Sequence, residues 1–140
     1  MTTRIRLLSI AQALLLILVI TVEIRPFLDP MLVRYLHSHQ EGARFLAATH
    51  DSGIAMLGIL ETGKPLMAVG GYRGSDPILT TEQFVQMVAD GEVRFFLSLT
   101  EGTEDYPQQA AIKQWVQEHC PESPVQAQGV AVRGPCVAHD

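Results

Sequence analysis

One uncharged stretch, residues 7–22 (LLSIAQALLLILVITV), constrains this chain more than any other feature. At about 1.5 Å per residue, a helix over these positions rises about 24 Å, short of the ~30 Å hydrocarbon core of a bilayer. Extended over residues 5–25, with Arg6, Glu23 and Arg25 reaching to the two interfaces, it rises about 31 Å and spans. Pro26 then ends it. A cleaved signal peptide is the rival reading, since Arg4 and Arg6 supply a basic start. Against it, the residues that follow (VEIRPFLDP) contain no small-x-small cleavage site. A helix buried in a protein core is a third reading, as the run has no polar stripe. The arginines at the start hold the N-terminus inside and send the rest of the chain outside. The expected organisation is a transmembrane anchor over residues 1–28, a linker helix over 29–41 and an extracytoplasmic domain over 42–140. The chain would then sit at the cell membrane as a single-pass protein.

Charge is divided in the same way as hydropathy. Residues 1–40 carry four arginines against Glu23 and Asp29, whereas residues 41–140 carry six basic and thirteen acidic side chains, a net of −7. An acidic domain repels phosphate backbones, so nucleic acid is not an expected partner. The two cysteines, Cys120 and Cys136, are not spaced as a CxxC metal or redox pair. Outside the cytoplasm they could form a disulfide; two free thiols are the other reading.

Beyond the anchor the pattern alternates strand and helix. Asp29 and Pro30 open a short helix that Gly42 stops, with Leu32, Tyr35 and Leu36 on its packing side. Residues 44–49 (RFLAAT) and 65–69 (PLMAV) read as buried strands, and the helix between them is capped by Asp51 or Ser52 and ended by Gly63. Ile54, Met56, Leu57 and Leu60 give it an apolar helical face. Thr80 and Gln83 form a capping box for a helix lined by Phe84, Val85 and Val88. Residues 93–99 (VRFFLSL) are a third strand, residues 110–120 a third domain helix, and residues 130–132 and 136–138 short late strands about a turn at Gly134-Pro135. Strands apolar throughout and separated by helices predict an α/β fold: a small, mainly parallel, Rossmann-like sheet flanked by helices and preceded by one transmembrane helix.

In such a sheet ligands bind at the carboxyl ends of the strands. Three loops gather there: residues 49–52 with His50, Asp51 and Ser52; residues 70–76; and residues 100–105. The middle loop holds Gly70, Gly71 and Gly74, which let backbone approach a ligand closely, and Tyr72, Arg73, Ser75 and Asp76, groups suited to a sugar and its phosphate. Its plainer reading is a turn. It lacks the Walker A ending and the GxGxxG spacing. A hydrolytic triad of His50, Ser52 and Asp76 is not expected, because there is no G-x-S-x-G elbow and Asp51 and Ser52 suit helix capping. No metal is expected either: His37 and His39 form the single H-x-H pair, which a surface helix tolerates without zinc. No cofactor is expected.

The phrases ETGKP, MAVGGYRGSDPILT, ADGEVRFFL and IKQWVQEHC, spread between Tyr35 and Cys120, carry a resemblance. The chain resembles the C-terminal extracytoplasmic domain of bacterial polytopic mannosyltransferase-like proteins, of the protein O-mannosyltransferase and aminoarabinose transferase superfamily. The resemblance implies a membrane glycosyltransferase system whose donor is a sugar on a polyprenyl phosphate. It also implies many membrane helices and catalytic carboxylates in an early extracytoplasmic loop, where this chain offers one apolar run and the tail-like domain. The expected function is therefore a module noncatalytic by itself, binding acceptor or donor beside a polytopic glycosyltransferase subunit. The alternatives are an independent membrane-anchored sugar-binding module and a remnant with a structural role.

Overall fold

The computed structural model describes residues 26–100 and 107–137, with positions 10, 12 and 13. The expected membrane-spanning run, apart from those three positions, lies outside the described residues, as do residues 101–105 of the third loop and Ala138 of the expected last strand. Among the described residues no helix is long and apolar enough to cross a membrane.

Eight elements follow in order: α1 (Pro30–Ser38), β1 (Ala48–Thr49), α2 (Ser52–Thr62), β2 (Met67–Ala68), α3 (Thr81–Ala89), β3 (Phe96–Leu99), α4 (Pro107–His119) and β4 (Val130–Arg133). The helix starts are built by side chains that accept otherwise unbonded N–H groups. Asp29 accepts from Met31 N at 2.7 Å. Asp51 accepts from Gly53 N and Ile54 N. The Thr80–Gln83 capping box is complete, with Gln83 N donating to Thr80 and Thr80 N donating to Gln83. At the far end of α2, Gly63 takes the left-handed conformation, φ 66°, that a side chain would resist.

The sheet has the order β2-β1-β3-β4. β1 runs parallel to both β2 and β3, and β4 pairs antiparallel with β3, from Phe96 opposite Arg133 to Leu99 opposite Val130. The sheet is thus mixed, where the sequence predicts a mainly parallel one. The reason is a reversal before β4. Residues after α4 run alongside β4, bridged at Glu122–Arg133 and Ala127–Val130, and turn back at Gly129, φ 79°. Gln126 braces this reversal: its amide accepts from Val132 N and donates to Val132 O, at 3.0 Å each. The turn expected at Gly134-Pro135 therefore lies one strand too late, and residues 134–137 form no strand. They carry Cys136 back to Cys120, to which it is joined by a disulfide. Boundaries also move: β1, β2 and β3 are shorter than the expected runs 44–49, 65–69 and 93–99. α1 ends at Ser38, before Gly42, and α4 starts at Pro107 rather than Ala110.

Two apolar layers sandwich the sheet. On one face Leu28, Leu32 and Leu36 of the α1 region and Ala55 of α2 meet Phe95, Leu97, Val130 and Val132. On the other, Phe84 and Val88 of α3 and Ile112 and Val116 of α4 meet Ala48, Val69, Phe96 and the disulfide. The alternation of Phe95, Phe96 and Leu97 between these layers explains why three consecutive positions here are all apolar. The helix expected as a linker is part of the first layer, with Leu32 and Leu36 fully buried.

Candidate functional site

The order β2-β1-β3 sets where a ligand could be held. The chain leaves β1 through α2 on one face of the sheet and travels from β2 to β3 through α3 on the other. The two connections diverge at the carboxyl ends of β1 and β3, the switch point at which open α/β sheets leave a crevice. Residues 49–52 and the loop 70–76 both emerge on this edge.

The two loops are knitted together by backbone. Gly70 N donates to His50 O at 2.9 Å, and Ser52 N donates to Gly71 O at 2.9 Å. Within the glycine loop, Asp76 N donates to Gly70 O at 2.9 Å and Tyr72 N donates to the Asp76 carboxylate at 3.2 Å, so Asp76 closes the loop on itself. Gly71 has φ 70°, and a Cβ there would meet Asp76 Oδ2 at 2.5 Å. The glycine thus meets two demands, a left-handed backbone and room for the closing carboxylate.

This architecture sorts the candidate residues. Asp51 is occupied as the cap of α2. The Ser52 hydroxyl donates to Tyr72 O at 2.9 Å. His50 is buried, with its ring edge-on to Phe96 at 5.2 Å. Ser52 and Asp76 are tied to loop backbone, so a His50–Ser52–Asp76 triad is not assembled. Tyr72, Arg73 and Ser75 point to solvent, with Tyr72 76 % exposed. They are the groups of this loop that are free to meet something outside the fold.

Sequence reasoning missed Gln109. It lies on the first turn of α4, only 6 % exposed, and its Nε2 has no hydrogen-bond partner among the described residues. It lies directly under the glycine loop: a Cβ on Gly70 would fall 1.6 Å from Gln109 Nε2, and one on Gly74 2.9 Å from it. The glycines therefore make room for a buried amide as well as for a turn. A signal existed in the sequence. Pro107 suits the first position of a helix, and a helix begun there sets Gln109, Ile112, Val116 and Cys120 on one inward stripe, with the glutamine its one amide.

Beside the loop, a cleft of about 310 Å³ opens between residues 77–82 and the start of α4, lined by Leu79, Thr80, Glu82, Pro107 and Ala111. The Glu82 carboxyl is held below its usual range by a backbone hydrogen bond at its own position and by the Thr80 hydroxyl. Among the described residues, no group of three or more His, Cys, Asp or Glu side chains could hold a metal ion. The arrangement offers outward hydroxyl, phenol and guanidinium groups over a buried amide. That set suits binding of a polyol or phosphate, and it includes no activated nucleophile paired with a base.

Residues 32–119 match a family model described as "Putative mannosyltransferase YkcB-like, C-terminal". The matched span runs from α1 to the end of α4 and includes both loops and Gln109. The chain is similar to the Bacillus subtilis (strain 168) protein named "Putative mannosyltransferase YkcB", 46% identical over 67 residues, which cover 48% of this chain and 9% of the relative. It is also similar to "Putative mannosyltransferase YycA" of the same organism, 36% identical over 69 residues, 49% of this chain and 10% of the relative. The shared region is thus about a tenth of either relative's length. No solved structure matches the chain.

Proposed function

Because the chain belongs to the YkcB-like C-terminal family of mannosyltransferase-like proteins, we propose that it is an extracytoplasmic module of a membrane glycosyltransferase system, noncatalytic by itself, that binds a sugar carried on a polyprenyl phosphate. The apolar run at residues 7–22 anchors it, and the domain faces outward. The observation that carries the binding role is Gln109. A buried amide donor without a partner costs about 1–3 kcal/mol of desolvation, a cost that a ligand oxygen would offset if binding parts the glycine loop from Gln109, since Nε2 lies sealed beneath Gly70 and Gly74. Arg73, on the rim of the same loop, suits a phosphate, which its planar fork can meet with two parallel hydrogen bonds.

The test is titration of the full chain, in detergent, with a fluorescent short-chain polyprenyl-phosphate mannose. Arg73→Ala and Gln109→Leu should each weaken binding about tenfold, ~1.4 kcal/mol. Both should fold, because Arg73 is exposed and leucine fills the volume of the buried amide without leaving a polar atom unbonded. Binding equal to the parent's in both variants would reduce the loop to a turn. Co-purification with a polytopic glycosyltransferase tests the wider assignment, and its failure alongside intact sugar binding would favour an independent anchored binding module.

A further inference from the structure

Helix α2 carries its large apolar side chains on the outside. Met56 is 57 % exposed, Ile59 41 % and Leu60 74 %, while the side turned to the core holds Ile54, Ala55 and Gly58. The outward positions Gly53, Met56, Leu57, Ile59 and Leu60 share one broad uncharged face, and Glu61, the charged exposed residue at its border, is bonded to the backbone of Phe27 and Leu28. A helix apolar all round is ordinarily buried all round. Clustered apolar exposure of this kind marks a contact with another protein or with a membrane.

The course of the chain says which. Glu61, on the last turn of α2, accepts hydrogen bonds from the backbone N–H groups of Phe27 and Leu28, at 2.7 Å for Leu28. The chain arriving from the apolar run is therefore fastened to this helix. Between Val22 and Phe27 the chain can extend at most about 17 Å, and Met56 lies about 7.5 Å along the helix from Glu61. Allowing about 7 Å for the Glu61 side chain and its hydrogen bond, the outer face of α2 is thus held within about 32 Å of the end of the run, on the side where that run would leave a membrane. Met31 of α1, 72 % exposed, lies on the same side of the sheet. Charge favours an apolar contact over an electrostatic one: residues 41–140 carry a net of −7, which anionic headgroups repel.

We infer that the outer face of α2 rests in the interfacial zone of the lipid bilayer that residues 7–22 enter, with Met56, Ile59 and Leu60 inserted among headgroups and upper acyl chains. The inference rests on the anchor reading given above. It fixes the orientation of the domain, with α1 and α2 facing the lipid and α3 and α4 facing away.

Leu60→Trp and, separately, Met56→Trp in the full chain test it, using vesicles of phosphatidylcholine with and without brominated acyl chains. Native Trp115, on α4 at the opposite face of the sheet, supplies the parent signal. Brominated lipid should remove most of the emission gained by either variant, severalfold more than it removes from the parent, and that emission should be blue-shifted. The effect should persist in high salt, since the contact is apolar. If the chain floats with vesicles but neither added tryptophan is quenched, the anchor stands and the lipid contact is overturned. Quenching lost when a copurifying protein is present, with crosslinks from residue 60 to that protein, overturns it in favour of a protein partner. A chain that does not float with vesicles overturns the anchor reading, and this inference with it.

Discussion

Helices α2 and α3 have similar lengths and similar starts, yet they bury opposite kinds of residue. In α3 the inward residues are the large Phe84 and Val88, and the outward ones include Glu82, Gln83 and Gln86. In α2 the inward residues include Ala55 and Gly58, and Met56 and Leu60 face out. The small inner face lets α2 lie close to the sheet: a Cβ on Gly58 would come within 2.6 Å of Leu66 Cδ2. α3 is thus a helix whose sequence is explained by its own domain. The sequence of α2 is explained only in part by the fold, and its remaining apolar surface is available to something outside.

The largest expected effect tests the α3 side of this contrast. Phe84 is fully buried and packs edge-on against Phe96 and Trp115, with ring centroids 6.0 and 5.8 Å apart. Phe84→Ala should lower stability by about 3–5 kcal/mol in urea unfolding, through lost burial and the cavity left behind. A loss under about 1 kcal/mol would mean that α3 does not hold the second core layer and that the contrast with α2 is misdrawn.

The same contrast shows what could be read from the sequence. Asp51, Thr80 and Gln83 announce the helix starts, because capping is local chemistry in which a short side chain reaches N–H groups two or three residues on. The three parallel strands follow from apolar runs placed between helices. Two features were not legible, because each depends on side-chain contacts across a turn, six to eight residues apart, that no local motif announces. The apolar residues Ile54, Met56, Leu57 and Leu60 suggest one face for α2, but only Ile54 of them is buried, and the closeness of Leu66 selects Ala55 and Gly58 to accompany it. The reversal at Gly129 is fixed by Gln126 meeting Val132, a pairing that no periodicity signals. At the site, the glycine loop was visible as composition. Its partner Gln109 was hidden by a polar stretch that reads as loop until Pro107 is taken as a helix start.

A middle-sized effect asks whether the two helices are begun equally well. Thr80→Ala should cost about 1 kcal/mol, since it leaves Gln83 N without its acceptor. Asp51→Ala should cost about 1–2 kcal/mol, because Asp51 serves both Gly53 N and Ile54 N. The same substitution should loosen the edge at which residues 49–52 are tied to the glycine loop. Thermal unfolding orders the pair, and hydrogen exchange at the amides of residues 70–72 shows whether the loop feels the loss of Asp51 more than that of Thr80. Equal exchange in the two variants would separate the start of α2 from the candidate site.

The smallest expected effect on stability bears most directly on α2. Leu60 is 74 % exposed, so Leu60→Gln removes little burial within the domain and should change its unfolding free energy by less than about 0.5 kcal/mol. Glutamine keeps the helix propensity of leucine to within a few tenths of a kcal/mol, so the helix itself is not at stake. Any larger loss would show that Leu60 packs on the protein and that the outer face of α2 belongs to the core. A neutral outcome in detergent is what a face built for an external apolar contact requires. In vesicles the same variant should lose protection of α2 amides from hydrogen exchange while α3 amides are unchanged, because only α2 exchanges a lipid contact for water. Equal protection of α2 in parent and variant vesicles would remove the functional meaning of the contrast and leave Met56 and Leu60 as ordinary exposed apolar residues.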